Sequence, residues 1–167
     1  MPKPAAHQGY FQRYIDMVGE NDLTTAFANQ AVHIEPFLST ISEEQSAYAY
    51  AAGKWTIKEM LQHIIDTERI FCYRALCFAR GEQANLPGFD ENEFANKSFA
   101  NSRQWASLVE EFISVRKSTE ALFKSFSNES LSVSGTANNN AMSAESAGFI
   151  IAGHYYHHKK ILAERYL

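Results

Sequence analysis

Four long segments of this chain carry apolar residues at the three- and four-residue spacing of an amphipathic helix, and this feature constrains the fold most. The segments are residues 22–40, 56–80, 102–127 and 143–166. Alanine occurs 22 times against five valines, and the chain holds 8 glycines and 4 prolines, so residue propensities also favour helices over strands. The pattern predicts an all-α protein built as a four-helix bundle.

Capping residues predict where the first two long helices begin and end. Asp22 is a suitable N-cap for the first helix, and Pro36 should kink that helix or end it early. Thr56 and Glu59 have the spacing of a capping box at the start of the second helix. Gly81 should end the second helix, because glycine readily adopts a positive φ.

The remaining segments are shorter or begin at serines. Ser102 and Ser143 are the predicted N-caps of the third and fourth helices. We expect a short helix over Tyr10–Val18 and another over Glu91–Lys97, after a turn that contains a Pro-Gly pair. The stretch Ser132–Ala141, with one glycine and three consecutive asparagines, is predicted to be a surface loop.

The length and charge of the chain narrow its class. A chain of 167 residues fits a single domain over residues 1–167. The net charge of −4 argues against nucleic-acid binding, which needs clustered lysines and arginines. No uncharged stretch reaches the roughly 18 apolar residues of a membrane span, so no membrane partner is expected.

The first residues of the sequence bear on the compartment, and the spacing of the two cysteines bears on whether they form a disulfide. The first residues lack the apolar core of a signal peptide, which makes the cytoplasm the expected compartment. Cys72 and Cys77 lie five residues apart on one helix and point in different directions, so they cannot form a disulfide there. Both are expected to act as small core hydrophobes.

Three histidines occupy positions where leucines would be expected. His154 and His158 lie four residues apart on the apolar stripe of the fourth helix, and His63 lies midway along the second helix. Side chains that project inward from facing helices form the metal sites of helical bundles. The pattern predicts that His63, His154 and His158 bind one divalent metal ion, with zinc or nickel expected because imidazole suits both. Three ligands would leave positions open for water or substrate.

Other interpretations of the histidines stay open from the residues alone. A histidine on an apolar face is often only a hydrogen-bonded core residue. His157 is also a neighbour of His154, although it points away from the apolar stripe. His7 and His33 have no comparable context and are assigned to the surface.

Known catalytic motifs do not occur around these histidines. A zinc protease of the HExxH type needs glutamate directly after its first histidine, and here Tyr155 follows His154. The sequence holds no glycine-rich phosphate loop and no Ser-His-Asp order. The catalytic residues are therefore unknown at the level of sequence.

Two carboxylates follow His63 along the second helix. Asp66 and Glu68 are expected to be helix-surface charges near Arg69 and Arg74. The alternative is that one of them accepts a hydrogen bond from an imidazole N–H and so orients a ligand.

Several motifs spread over nearly the whole chain form one pattern. They are Lys54–Glu59, His63–Arg69 with Arg74, Leu86–Asp90, Arg116 and Ala152–His158. Together these motifs resemble the DinB-like superfamily, which includes YfiT-like metal-dependent hydrolases.

The resemblance implies an up-down-down-up four-helix bundle with a divalent metal held by His63, His154 and His158. It further implies chemistry with low-molecular-weight thiols in some members, whereas the family name refers to induction by DNA damage and does not imply DNA binding. The first hypothesis is a metal-dependent thiol transferase or hydrolase-like enzyme that acts on a small molecule. The second is a non-catalytic protein whose metal serves structure or dimer assembly.

Aromatic content suggests a homodimer. Aromatic residues make up 13% of the chain, more than one bundle core of this size obviously needs. Two-fold dimers are the commonest oligomers. The alternative is that these rings fill the core beneath the loop Leu86–Phe89.

Overall fold

The computed structural model describes residues 3–4 and 9–167, and helices dominate these residues. The helices are α1 (Gly9–Met17), α2 (Leu23–Leu38), α3 (Glu43–Ser46), α4 (Ile57–Ala79), α5 (Glu91–Lys97), α6 (Trp105–Lys124), α7 (Asn128–Ser132) and α8 (Ala144–Arg165). A 3₁₀ turn precedes α6, and two short strands, β1 (Ser134–Ala137) and β2 (Asn140–Ser143), precede α8.

The four long helices α2, α4, α6 and α8 confirm the predicted bundle, and each lies within three residues of its expected bounds. Asp22 caps α2, Thr56 forms a capping box at the start of α4, and Ser143 caps α8, all as predicted. Pro36 lies in the last turn of α2, which ends two residues later at Leu38. The helix therefore continues through the proline and ends two residues before the predicted bound at residue 40.

Contacts near the helix ends set the directions of the four helices. The Trp105 indole, at the start of α6, donates to the carbonyl of Leu38 at the end of α2 (3.2 Å), so these helices are antiparallel. The Tyr166 hydroxyl, after α8, donates to the carbonyl of Trp55, before α4 (2.8 Å). Lys58, at the start of α4, donates to the backbone just before α6 (2.6 Å), so α4 and α6 run in parallel. The order is up-down-down-up.

The start of α6 differs from the prediction. Ser102 does not cap this helix, because it lies in the 3₁₀ turn. Gln104 is the N-cap and makes no capping hydrogen bond with its side chain. Instead, the backbone N–H of Trp105 donates to the Glu43 carboxylate of α3 (2.6 Å). A carboxylate from elsewhere in the chain thus binds the exposed N–H group that a serine would have satisfied.

The prediction of a surface loop over Ser132–Ala141 is wrong, because β1 and the first half of β2 lie in that stretch and belong to an antiparallel hairpin. Asn138 and Asn139 form its two-residue turn with φ values of 48° and 60°. Positive φ at both turn positions is typical of tight hairpins, and asparagine tolerates it better than most residues. The asparagine run therefore signalled a hairpin turn.

Helix α1 lies against α8 and adds a fifth helix to the bundle. It confirms the short helix expected over Tyr10–Val18 to within one residue at each end. The contact is so close that a methyl group on Gly153 would overlap the backbone carbonyl of Tyr14. As a result, the first half of α8 is buried on nearly all sides.

The two cysteines of α4 form no disulfide. Cys72 and Cys77 are both unpaired, and Cys72 Sγ lies 3.3 Å from Thr119 Oγ1. Burial raises the pKa of the Cys72 thiol to about 12, which suits the expected role as a core residue.

Of the helices in the described part of the chain, none is both long and apolar enough to cross a membrane.

Candidate metal centre

The three predicted histidines meet where α4 and α8 cross. Nε2 of His154 lies 3.1 Å from Nε2 of His63 and 3.0 Å from Nε2 of His158. One nitrogen from each ring lies within 4.8 Å of the others, and the group could hold a metal ion. The spacing of four residues puts His154 and His158 one turn apart on α8, while the antiparallel α4 presents His63 to both.

The position of His154 is compatible with an ion shared with its two neighbours. Two nitrogens at about 2.0–2.1 Å from one ion can be at most about 4.2 Å apart. Nε2 of His154 lies within that distance of Nε2 of His63 and of Nε2 of His158. Nδ1 of His158 is buried and has no hydrogen-bond partner in the described part of the chain. The orientation of the His158 ring is therefore set by packing and by the contact of its other nitrogen, Nε2, with His154.

Burial keeps the three imidazoles neutral. It lowers the pKa of His63 to about 4, with a smaller contribution from His157. Burial also lowers the pKa values of His154 and His158 well below the usual range, and the neighbouring imidazoles add to this effect. Neutral imidazole is the form that can bind a metal.

The other histidines lie outside this group. His157 is half-buried, and its ring packs edge-on against Tyr14 with the centroids 5.5 Å apart. It is not among the residues whose nitrogens converge. His33 is exposed on α2, as expected. The surface assignment of His7 concerns a residue outside the described part of the chain.

Aromatic rings flank the histidines. Trp55 lies 4.8 Å from His63 between ring centroids, and Tyr14 packs edge-on against His154 at 5.4 Å. Sequence reasoning missed Tyr14 as a neighbour of the site. The one available signal was Gly153, because a glycine inside a helix lowers its stability and often marks a close backbone contact.

The expectation for Asp66 and Glu68 as surface charges is wrong. The Glu68 carboxylate is 2% exposed and forms a two-fold hydrogen-bonded ion pair with Arg116 of α6 (3.0 and 2.8 Å). Asp66 is half-buried and accepts a hydrogen bond from Gln62 (2.9 Å). Neither carboxylate has a hydrogen bond to an imidazole among the described residues.

Arg116 is the centre of a buried polar network that joins all four long helices. Besides its ion pair with Glu68, it donates to the side-chain oxygen of Gln30 on α2. Gln30 in turn donates to the carbonyl of Ala152 on α8 (2.8 Å), and Thr119 donates to Glu68 (2.6 Å). All of these side chains are buried, so the network satisfies polar groups inside the core.

A cavity of about 360 Å³ reaches His154. It lies between α1, α4, α8 and the β1–β2 turn, and the loop before α5 forms another wall. Aromatic side chains and polar or charged side chains line the cavity in similar numbers. They include Tyr14, Thr67, Phe71, Arg74, Glu91 and His154.

A second, smaller cavity of about 240 Å³ borders His158 and Trp55. The histidine group therefore lies between two cavities, and a small molecule in the larger one would contact His154. Sequence reasoning could not find either cavity, because their walls come from segments far apart in the chain.

Comparisons with known proteins agree with this fold. The chain is similar to the solved structure of YfiT from Bacillus subtilis, described as a probable metal-dependent hydrolase with an unusual four-helix bundle topology. The identity is 14%, the TM-score is 0.73, and the match covers 98% of this chain and 90% of that one. It is also similar to a mycothiol-dependent maleylpyruvate isomerase, at 13% identity and a TM-score of 0.69, over 83% of this chain and 58% of that one.

At these identities the two structures support the fold alone. No curated protein matches the sequence. The family model of the DinB superfamily matches residues 26–162, which is most of the chain. The chain belongs to the DinB superfamily.

Proposed function

We propose that this protein is a metal-dependent enzyme in which His63, His154 and His158 hold one divalent ion, and that it carries out a thiol transfer or a hydrolysis on a small molecule. The observation that carries the proposal is the convergence of three buried, neutral imidazoles at the wall of a cavity large enough for a ligand. A purely structural metal site is closed by protein ligands, whereas a catalytic one keeps a position open.

The residues of the chain have separate tasks in this proposal. His63 and the pair His154 and His158 bind the ion from two helices, so the fold sets its position. Aromatic side chains in the wall of the larger cavity would contact a substrate on the His154 side. A bound divalent ion lowers the pKa of a coordinated water or thiol and so supplies a nucleophile near neutral pH.

A thiol substrate fits the lack of a carboxylate at the site. The converging group contains only histidines among the described residues, so no carboxylate there can act as a general base. A thiol has a pKa near 8.5, far below that of water, and needs less help to lose its proton. The matched 58% of the mycothiol-dependent isomerase has a similar fold, which is consistent with a low-molecular-weight thiol as partner.

Metal analysis of the purified protein tests the proposal. We expect about one equivalent of zinc or nickel in the wild-type protein, because imidazole suits both ions. His158→Ala should lose the metal and any thiol-dependent activity while circular dichroism stays nearly unchanged. His157→Ala is the matched control, since this neighbouring imidazole lies outside the group, and it should keep both.

Three outcomes would contradict the proposal. Full activity without metal would remove the metal-dependent chemistry. Loss of the fold together with the metal in His158→Ala would favour the alternative, a non-catalytic protein with a structural metal. Equal metal loss in His157→Ala would show that the ligand set is different.

We also propose a homodimer in the cytoplasm. Several aromatic side chains are exposed on the described surface, and in a two-fold dimer we expect some of them to be covered by the second copy. They are Tyr10, Tyr48, Tyr73, Phe94 and Phe99. The two unpaired cysteines of α4 are consistent with a reducing compartment. A monomeric mass in light scattering at micromolar concentration would contradict the dimer.

A further inference from the structure

Arg74 is a buried cation in the wall of the larger cavity. Its side chain is on α4 and is 4% exposed. The guanidinium donates one hydrogen bond, from Nη2 to the carbonyl of Pro87 (2.9 Å), and lies 5.0 Å from the centroid of the Phe71 ring. Among the described residues it forms no ion pair, in contrast to the equally buried Arg116. A guanidinium has five N–H donors, so most of its donors remain available.

The cavity joins Arg74 to the histidine group. His63, Thr67, Phe71 and Arg74 follow each other on one face of α4 at steps of four, four and three residues. Thr67 and Arg74 both line the cavity and are about 10 Å apart along the helix axis. The hydroxyl of Thr67 is buried without a partner in the described part of the chain, and His154 lies at the wall of the same cavity.

The lining indicates which anion Arg74 can bind. Arg74 is the one lysine or arginine that lines the cavity in the described part of the chain. Glu91 also borders the cavity, but it is exposed at the surface. A single guanidinium matches a singly charged carboxylate, which accepts two parallel hydrogen bonds from its fork. A doubly charged phosphate would need more cationic donors.

We propose that the substrate of this site is a small carboxylic acid with an apolar or aromatic body, and that Arg74 binds its carboxylate while its reacting end lies at His154. The inference rests on the proposed function, since it treats the cavity as the substrate site of the histidine centre. Tyr14 and Phe71, which line the cavity, would provide the apolar contact between the two ends. Arg74 is thus a specificity-determining residue.

Calorimetry on the metal-free protein tests this inference separately from the metal. The probes are 3-phenylpropionate and its uncharged amide, 3-phenylpropanamide, which differ only in the group that Arg74 would bind. We expect the acid to bind about tenfold more tightly than the amide, as for one charge-assisted hydrogen-bond pair. This comparison needs no variant, so it does not depend on how a variant folds.

Variants then assign the effect to Arg74. Arg74→Gln should abolish the preference for the acid, and Arg74→Lys should keep part of it because the charge remains. Arg69→Gln is the matched control: it removes an exposed arginine of the same helix and should leave the preference intact. If Arg74 serves only to hold the loop at Pro87, Arg74→Gln will lower stability without changing the preference, and the inference is overturned.

Three further binding results would also count against the carboxylate assignment. Equal binding of acid and amide, no binding at millimolar concentration, or tighter binding of phenyl phosphate than of the acid would each overturn the carboxylate assignment. A second aliquot of the same preparation is incubated with zinc, and its metal content is measured. Acid binding to the metal-free aliquot without zinc uptake by the second would reject the proposed function and keep the carboxylate site, and zinc uptake without acid binding would do the opposite.

Discussion

The protonation of His63, His154 and His158 couples the candidate site to stability. Burial lowers the pKa of His63 to about 4 and those of the other two well below their usual value. In the unfolded chain all three return to about 6.5, so between that pH and about 4 the unfolded state binds more protons. We therefore expect the metal-free protein to lose stability as the pH falls from about 7 to about 5, measured by urea unfolding.

Two variants separate this effect from general acid sensitivity. His158→Gln removes one buried imidazole and should make the loss of stability with falling pH smaller. His33→Gln removes an exposed histidine of α2 and should leave the pH dependence unchanged. Identical pH profiles for the wild-type protein and His158→Gln would show that the buried imidazoles do not carry the effect.

The buried ion pair between Glu68 and Arg116 gives a second prediction. Arg116→Met would leave the Glu68 carboxylate, which is 2% exposed, without its partner. Removing one member of a buried pair typically costs about 3–5 kcal/mol in the free energy of unfolding. Chemical denaturation should show a loss of this size, whereas Lys124→Met, in an exposed pair with Glu120, should cost about 0.5 kcal/mol or less.

The double variant Glu68→Leu with Arg116→Met sharpens this test. Replacing both members by apolar groups removes the unpaired charge, so much of the lost stability should return. If the double variant is less stable than Arg116→Met alone, the loss in Arg116→Met does not come from an unpaired buried charge. The ion pair itself would then stabilise the bundle.

Individual residues also show what the sequence could and could not predict. The three histidines were predictable, because one helix period puts His154 and His158 on the buried stripe of α8. The burial of Glu68 was not predictable, because its partner Arg116 lies 48 residues further along the chain. A charged residue inside an apolar pattern shows no sign of burial until the helix that neutralises it is in place.

At the level of elements, Gly153 controls how closely α1 approaches α8. Gly153→Ala would normally favour a helix by about 1 kcal/mol. Here the new methyl group would overlap the carbonyl oxygen of Tyr14, and a backbone atom can only move with its helix. We expect a net loss of about 1–3 kcal/mol in the free energy of unfolding, the usual cost of overpacking.

Limited proteolysis of the same variant should show earlier cleavage in α1. Gly19→Ala is the control, since a methyl group there would meet no atom within 4 Å. A Gly153→Ala protein at least as stable as wild type would mean that α1 does not pack on α8 as described.

Element boundaries were predictable wherever the signal was local. Asp22, Thr56 and Ser143 cap the helices that follow them, and each cap uses residues within three positions. The start of α6 was not predictable in this way, because its first N–H group binds Glu43, 62 residues earlier in the chain. The hairpin escaped prediction because its strands are only four residues long, too short to show an alternating pattern.

For the whole molecule, the fold places the histidine group between two hydrophobic clusters. One cluster joins α1 to the end of α4 and the start of α8, and the other joins the end of α2 to the start of α4 and to α6. Each cluster holds the bundle together without the histidines. The site is thus supported from both sides, which is why we expect a metal-free protein to keep its helices.

A bound ion would nevertheless add stability, because it would link α4, through His63, to α8, through His154 and His158. Binding that occurs only in the folded state stabilises it by about 2.7 kcal/mol when the free ion is at 100 times its dissociation constant. We expect zinc to raise the melting temperature of the metal-free wild-type protein and of His157→Ala equally. His158→Ala should respond far less, because two imidazoles bind an ion more weakly than three. An equal rise in His158→Ala would place the bound zinc elsewhere on the protein, and the three-histidine assignment would then have to be abandoned.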